Sequence, residues 1–166
     1  MNNLKKYLPH IFVVFLFFVI AYAFTPQVFE GKVVNQSDIA SWRGMANEIL
    51  TYNNSNVDGQ KALWTNSMFG GMPNYQISMD QPYNLIKYVE KVILSFPQTV
   101  YNLILYLIGF YILLLTFRVN PWLAIVGAIA FTFASYNFII IAAGHNSKAI
   151  TIAYMAPLIG SVFSAF

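Results

Sequence analysis

Apolar residues are concentrated in four stretches that contain no charged side chain. These stretches cover positions 8–24, 99–117, 121–143 and 149–166. A helix needs about 20 apolar residues to cross the hydrocarbon core of a bilayer, within a range of about 17–25. Each stretch therefore predicts a transmembrane helix, and together they predict an all-α polytopic membrane protein with four transmembrane helices.

Composition points to the same class. Of 166 residues, 58% are hydrophobic and only 9% are charged, whereas soluble domains carry about 25% charged residues. So few charges cannot give a soluble fold a polar surface. The net charge of +3 does not indicate a nucleic-acid partner, because membrane topology also explains a mild basic excess. Cysteine is absent, which excludes disulfides and thiolate sites.

The positions of the charged residues predict an orientation. Lys5 and Lys6 precede the first span, and Arg118 lies in the short turn 118–120. Cytoplasmic loops are enriched in Lys and Arg, which predicts that residues 1–7 and the turn 118–120 are cytoplasmic. All six acidic residues fall within 25–98, namely Glu30, Asp38, Glu48, Asp58, Asp80 and Glu90. The segment 25–98 and the short turn 144–148 are therefore predicted to be external.

Both ends of the chain admit a second interpretation. Ala21-Tyr22-Ala23 resembles a signal-peptide cleavage site, although the segment 25–98 would be external with or without cleavage. The fourth stretch ends at Phe166 without a basic residue to anchor it. We expect the chain to continue in a longer protein, whose remainder would be a partner of these spans.

The external segment 25–98 is too long for a simple connection. Its aromatic and aliphatic content predicts a folded, helical structure lying against the membrane surface. Apolar residues recur at helical spacing near 37–50, where Asp38 occupies the first turn, and again near 83–96. Both segments are predicted to be amphipathic helices, and the second is expected in the interface before the next span.

Three strings of residues resemble a known family. They are NQSDIASWRG at 35–44, ALWTNSMFGGMP at 62–73 and AGHNSK at 143–148. They look like parts of YfhO-family membrane proteins of the Bacteroidetes type, a family that is similar to GT-C glycosyltransferases. The resemblance implies the N-terminal part of a GT-C-like fold in the bacterial inner membrane, with a cytoplasmic N-terminus and a periplasmic loop.

The resemblance also implies an activity. It implies transfer of a sugar from a polyprenyl-phosphate donor to a cell-envelope acceptor on the outer face of the membrane. An acidic residue early in the first external loop would act as base or metal ligand, and Asp38 is in that position. A divalent metal is possible, but the chain has no Asp-x-Asp pair. The 166 residues alone would not be active.

Each candidate residue has a structural alternative. Asp38 is a candidate general base or a charge favoured by the helix dipole. His145 and Lys148 are candidates for binding the phosphate of the lipid donor. Alternatively, Lys148 is an interface anchor and His145 is a polar loop residue. Trp42 and Trp64 could stack on a sugar, but such residues are also common at membrane interfaces. Gly70, Gly71 and Pro73 are predicted to shape a turn.

Two other functions fit the same pattern. One is a transporter or flippase for an envelope molecule, which would place buried charges in further spans. The other is a non-catalytic membrane scaffold, in which Asp38, His145 and Lys148 could all be replaced without loss. The four stretches hold no charge, and their polar residues Asn102 and Asn137 are expected to form hydrogen bonds between helices.

Overall fold

The structure is a computed structural model that describes residues 2–55, 59–78, 85–93 and 95–166, with the backbone alone at 2–6, 86–87 and 89–90. The described chain is mostly helical. Its helices are α1 (Asn2–Phe24), α2 (Ser37–Ser55), α3 (Ile86–Ile93), α4 (Gln98–Thr116), α5 (Pro121–Thr132), α6 (Ser135–Ala143) and α7 (Asn146–Ala165). A small antiparallel hairpin pairs β1 (Trp64–Thr65) with β2 (Met72–Pro73), and 3₁₀ helices cover Pro26–Glu30 and Asn74–Gln76.

The chain forms two compact units. The helical unit comprises Met1–Asn35 and Glu90–Phe166, and the hairpin unit comprises Gln36–Val89. The hairpin unit contains α2 and the two strands, so the predicted all-α class holds for the helical unit and is modified by a short β-hairpin in the other.

Three helices in the described part of the chain are long and apolar enough to cross a membrane. They are Tyr7–Phe24, Gln98–Thr116 and Asn146–Ala165, with mean hydropathies of 2.2, 1.9 and 1.3. The pair α5 and α6 makes a fourth if the two helices are counted as one span. Large apolar side chains such as Phe15, Leu123 and Phe163 are exposed on these helices. These features are consistent with a multi-pass membrane protein, because lipid can cover such side chains.

The predicted third span, 121–143, is broken. Its two helices meet at an angle of 48° around Phe133 and Ala134. The Asn137 side chain donates to the backbone carbonyl of Phe131 at 2.8 Å. This hydrogen bond satisfies one of the carbonyl groups in the last turn of α5, which the break leaves without a partner within the helix. A uniformly apolar run predicts a span but does not reveal a break within it.

Helix α4 is the centre of the helical unit. On one side it packs against α1 and α5, with Phe17, Leu107 and Ala124 in a shared apolar cluster. On the other side Tyr106 packs with residues of α6 and α7, including Ile140 and Ala153. This arrangement buries α4 more completely than the helices around it.

Small residues bring α4 and α7 close together. At Gly109 of α4, an added Cβ would lie 2.6 Å from the carbonyl oxygen of Ala153. The buried amide of Asn102 and the hydroxyl of Tyr106 have no hydrogen-bond partner among the described residues. Within the described part of the chain, Asn102 therefore lacks the interhelical hydrogen bond that was predicted for it, whereas Asn137 bonds to the end of the preceding helix.

Other boundaries differ from the predicted ones. The external turn predicted at 144–148 shortens to Gly144 and His145, because α7 begins at Asn146. Gly144 has a φ of +96° and its N–H donates to carbonyls of the last turn of α6, which ends that helix. Helix α2 continues five residues beyond the predicted 37–50, and α3 covers 86–93 of the predicted 83–96. Positions 83, 84 and 94 lie outside the described residues, as do Asp58 and Asp80.

Candidate functional site

Asp38 lies on the packed face of α2. Because successive residues are 100° apart around a helix, positions 38, 42, 46 and 49 share one face. Ala46 and Ile49 on this face are fully buried, and Asp38 itself is half-buried in the first helical turn. Asp38 therefore shares a helix face with the buried residues Ala46 and Ile49.

Trp42 follows Asp38 by one turn on the same face. Its indole Nε1 donates to the carbonyl of Ile77 at 2.9 Å, which fixes the ring, and 37% of the residue is exposed. A carboxylate and a fixed aromatic ring are thus adjacent on α2. Such a pair suits a polar, ring-shaped ligand, because the indole of Trp42 offers an apolar face to the ligand and the carboxylate of Asp38 accepts hydrogen bonds from it.

The hairpin is built around Trp64. Trp64 pairs with Pro73 across the two strands. The connecting turn places Phe69, Gly70 and Gly71 at φ of +50°, +75° and +125°. The indole of Trp64 lies against Gly71, where a Cβ would approach its Nε1 to 2.7 Å. One region of the Trp64 ring is therefore in contact with the turn, and 56% of the residue remains exposed.

Glu48 holds the hairpin turn to α2, a role that its sequence position did not suggest. Its Oε2 accepts hydrogen bonds from the Thr65 hydroxyl and from the backbone N–H groups of Asn66 and Ser67, the latter two at 2.9 and 3.0 Å. The Thr65 hydroxyl, helped by these two N–H groups, lowers the pKa of Glu48 below 4.5. The turn sequence Thr65-Asn66-Ser67 offers donors suited to a carboxylate, which is the signal that could have indicated this contact.

The hairpin unit also contains a cavity of about 460 Å³. Leu50 and Asn53 of α2 line it together with Leu63 and Tyr75. Asn53 lies fifteen residues after Asp38 on the same helix, which is about 22 Å along the axis. The cavity is therefore separate from the pair formed by Asp38 and Trp42.

His145 and Lys148 lie at the start of α7 in the helical unit. His145 is the residue that precedes the helix, and both side chains are exposed. The ammonium of Lys148 lies 5.3 Å from the centre of the Tyr136 ring, a cation–π contact that the sequence did not predict. Tyr136 stabilises Lys148 near the N-terminus of α7, where the helix dipole and N–H groups also favour an anion.

The structure thus groups the predicted residues by unit. Asp38 adjoins Trp42, and Trp64 adjoins Gly71 and Pro73, all in the hairpin unit. His145 and Lys148 belong to the helical unit. In the part of the chain that the structure describes, no group of three His, Asp or Glu side chains could hold a metal ion.

Comparisons with known proteins identified no relative. Neither the family models, nor the curated proteins, nor the solved structures gave a match to this chain.

Proposed function

We propose that this chain is part of an integral membrane glycosyltransferase-like protein of the YfhO family, with a GT-C-like fold. It would transfer a sugar from a polyprenyl-phosphate donor to a cell-envelope acceptor on the outer face of the bacterial inner membrane. In this proposal the N-terminus is cytoplasmic and the hairpin unit is periplasmic.

The observation that most supports the proposal is the position of Asp38. A half-buried carboxylate on the packed face of a helix, one turn from the fixed ring of Trp42, suits a general base beside a bound sugar. Asp38 would take the proton of the acceptor hydroxyl as its oxygen bonds to the anomeric carbon of the sugar, and the polyprenyl phosphate would leave. Trp42 and Trp64 would offer apolar ring faces to sugars.

The test of the base is Asp38→Asn in the intact protein in native membranes. Transfer of labelled sugar from the polyprenyl-phosphate donor should fall by about 100-fold or more, because general-base catalysis contributes a factor of this size. Asp38→Glu should restore part of the activity. Asn47→Asp, the reverse exchange at an exposed position of α2, is the control and should leave transfer unchanged.

Retention of transfer by Asp38→Asn, at unchanged expression, would rule out Asp38 as the base. If the wild type shows no transfer, and Asp38, His145 and Lys148 can all be replaced without loss of the protein's function in cells, the scaffold function is the better explanation.

His145 and Lys148 would bind the phosphate of the donor. Lys148→Ala should raise the KM for the lipid donor with little change in kcat, because the interaction is the same in the ground state and the transition state. An unchanged KM would contradict this role. Lys91→Ala is the control, since Lys91 is an exposed cation of α3.

Transport is a second candidate, and the break between α5 and α6 favours it. Discontinuous helices commonly form the substrate sites of transporters, and the two helices here meet at 48°. A transporter would move a lipid-linked sugar across proteoliposome membranes without any covalent transfer. Movement of the donor that persists in Asp38→Asn would support transport over catalysis.

A further inference from the structure

Two neighbouring cavities lie in the helical unit where α1 ends and α4 begins. Their volumes are about 270 and 300 Å³, and both are lined by Thr25, Gln27, Val34 and Thr99. Because both reach these residues, they form one groove, which we call the α1–α4 groove. The groove lies at the ends of apolar helices, where a membrane-spanning helix meets the lipid headgroups.

One end of the groove is apolar. It is lined by Leu103 of α4 and by Phe138 and Ile141 of α6. The ring of Phe24 forms a further wall and packs against Phe133 and Phe138, with ring centres 4.8 and 5.1 Å apart. These contacts fix the wall, and the space beside it suits a hydrocarbon chain.

The other end is lined by both apolar and polar side chains, including Val28, Gln27 and Lys32. Lys32 lines the cavity, and its ammonium is paired with the carboxylate of Glu30. The backbone that presents them is fixed by a turn, in which Lys32 N–H donates to the carbonyl of Gln27 and Gly31 has a φ of +71°. Both side chains are about two-thirds exposed, at 67% and 61%. An exposed pair of this kind contributes little to stability, so a ligand can replace it at little cost.

We propose that the α1–α4 groove binds a zwitterionic phospholipid of the phosphatidylethanolamine class. The lipid phosphate would accept hydrogen bonds from Lys32 and Gln27, its ammonium would pair with Glu30, and part of one acyl chain would fill the apolar end. The charges decide the choice of headgroup. A lipid that offers only a phosphate would bring its negative charge beside Glu30, whereas a zwitterion complements both members of the ion pair. The proposal does not depend on sugar transfer.

The test is lipid retention by the intact protein. The protein is equilibrated with equal amounts of phosphatidylethanolamine and phosphatidylglycerol of matched acyl chains, and retained lipid is measured by native mass spectrometry. The wild type should retain severalfold more phosphatidylethanolamine. Glu30→Gln should reduce this preference by at least threefold, and Lys32→Gln should lower retention of both lipids. Lys91→Gln, which alters an exposed cation of α3, should change neither quantity.

A second pair of variants tests the location. Ala142 and Val34 line the apolar cavity and are exposed, so Ala142→Phe and Val34→Phe should each fill the groove and reduce retention. The two substitutions lie on different segments of the chain. If both variants lose lipid retention while circular dichroism shows unchanged helix content, the groove is supported as the binding site.

Equal retention of the two lipids by the wild type would overturn the proposal. So would an unchanged preference in Glu30→Gln, or unchanged retention in both filling variants. Retention of undecaprenyl phosphate is measured in the same way. This lipid has a phosphate and no amine, so the comparison distinguishes a site for the sugar donor from a site for a phospholipid. Stronger retention of undecaprenyl phosphate than of phosphatidylethanolamine would also contradict the proposal.

Discussion

Gly71 is the position in the hairpin where the absence of a side chain matters most. Its φ of +125° disfavours any L-residue with a Cβ, and that Cβ would lie 2.7 Å from Nε1 of Trp64. Gly71→Ala should therefore destabilise the hairpin unit by about 1–3 kcal/mol, through backbone strain and displacement of the indole. The change is measured in the intact protein from Trp fluorescence during chemical unfolding.

Gly70→Ala is the matched control for this prediction. Gly70 also has a positive φ, of +75°, but nothing lies within 4 Å of the position its Cβ would take. This variant adds backbone strain without a collision, so its loss of stability should be clearly smaller. Equal losses for the two variants would show that the contact between Trp64 and Gly71 is unimportant.

Glu48 makes the hairpin unit sensitive to acid. Hydrogen bonds from Thr65, Asn66 and Ser67 lower its pKa in the folded chain below the ordinary value of 4.5. A carboxylate with a lowered pKa stabilises the fold fully above the unfolded pKa, and this contribution is lost as the pH falls through the folded pKa. We therefore expect protease resistance of the hairpin unit to decline below about pH 4.5.

Glu48→Gln should remove this component of the pH dependence, because the amide cannot ionise. The variant should be less resistant than the wild type at neutral pH and similar to it at low pH. Limited proteolysis at several pH values, with an acid-stable protease, makes the comparison. Identical pH profiles for the two proteins would show that Glu48 does not hold the turn.

At the scale of elements, the contact between α4 and α7 depends on Gly109. An added Cβ would lie 2.6 Å from the backbone oxygen of Ala153, and backbone cannot move aside as a side chain can. Gly109→Ala should separate the two helices and destabilise the protein by about 1–3 kcal/mol. The thermal midpoint of the detergent-solubilised protein measures this effect.

Gly127→Ala offers the comparison within the same unit. There the added Cβ would lie 2.5 Å from Cδ1 of Leu114, the end of a flexible side chain that can change rotamer. Its effect on the thermal midpoint should be smaller than that of Gly109→Ala. The reverse order would mean that α4 and α7 are not held at the distance that the structure gives.

The helices of this protein follow from composition, but their interruptions do not. Long apolar runs predict spans because hydrophobicity is a property of the whole run. At the break near Phe133, the Asn137 side chain bonds to the carbonyl of Phe131, a contact that no average over the run reveals. Thr132, Ser135 and Asn137 form a small polar group in the run, and this group was the available signal.

The candidate site was predictable only in part, for a related reason. The position of Asp38 near a helix start follows from local sequence. The contact of Glu48 with a turn 17 to 19 residues away, and that of Lys148 with Tyr136, depend on tertiary packing. Spacing along the chain cannot indicate such partners, because each belongs to a different element.

At the scale of the whole molecule, the orientation can be tested with single introduced cysteines, because these 166 residues contain none of their own. Ser147 and Ser164 lie near the two ends of α7 and are exposed, as is Ser41 of α2. Seventeen residues of helix separate the first two by about 25 Å. If α7 spans the membrane with its start outside, Ser147→Cys and Ser41→Cys should react with a membrane-impermeant maleimide in spheroplasts. Ser164→Cys should react only after permeabilisation.

The pattern of labelling distinguishes three arrangements of the chain. Labelling of Ser164→Cys alone would reverse the predicted orientation and place Asp38 on the cytoplasmic side, where a donor presented at the outer face could not reach it. Labelling of Ser147→Cys and Ser164→Cys from the same side would mean that α7 does not cross the membrane. The expected pattern instead places the start of α7, with His145 and Lys148, on the same side of the membrane as the hairpin unit, which sugar transfer at the outer face requires.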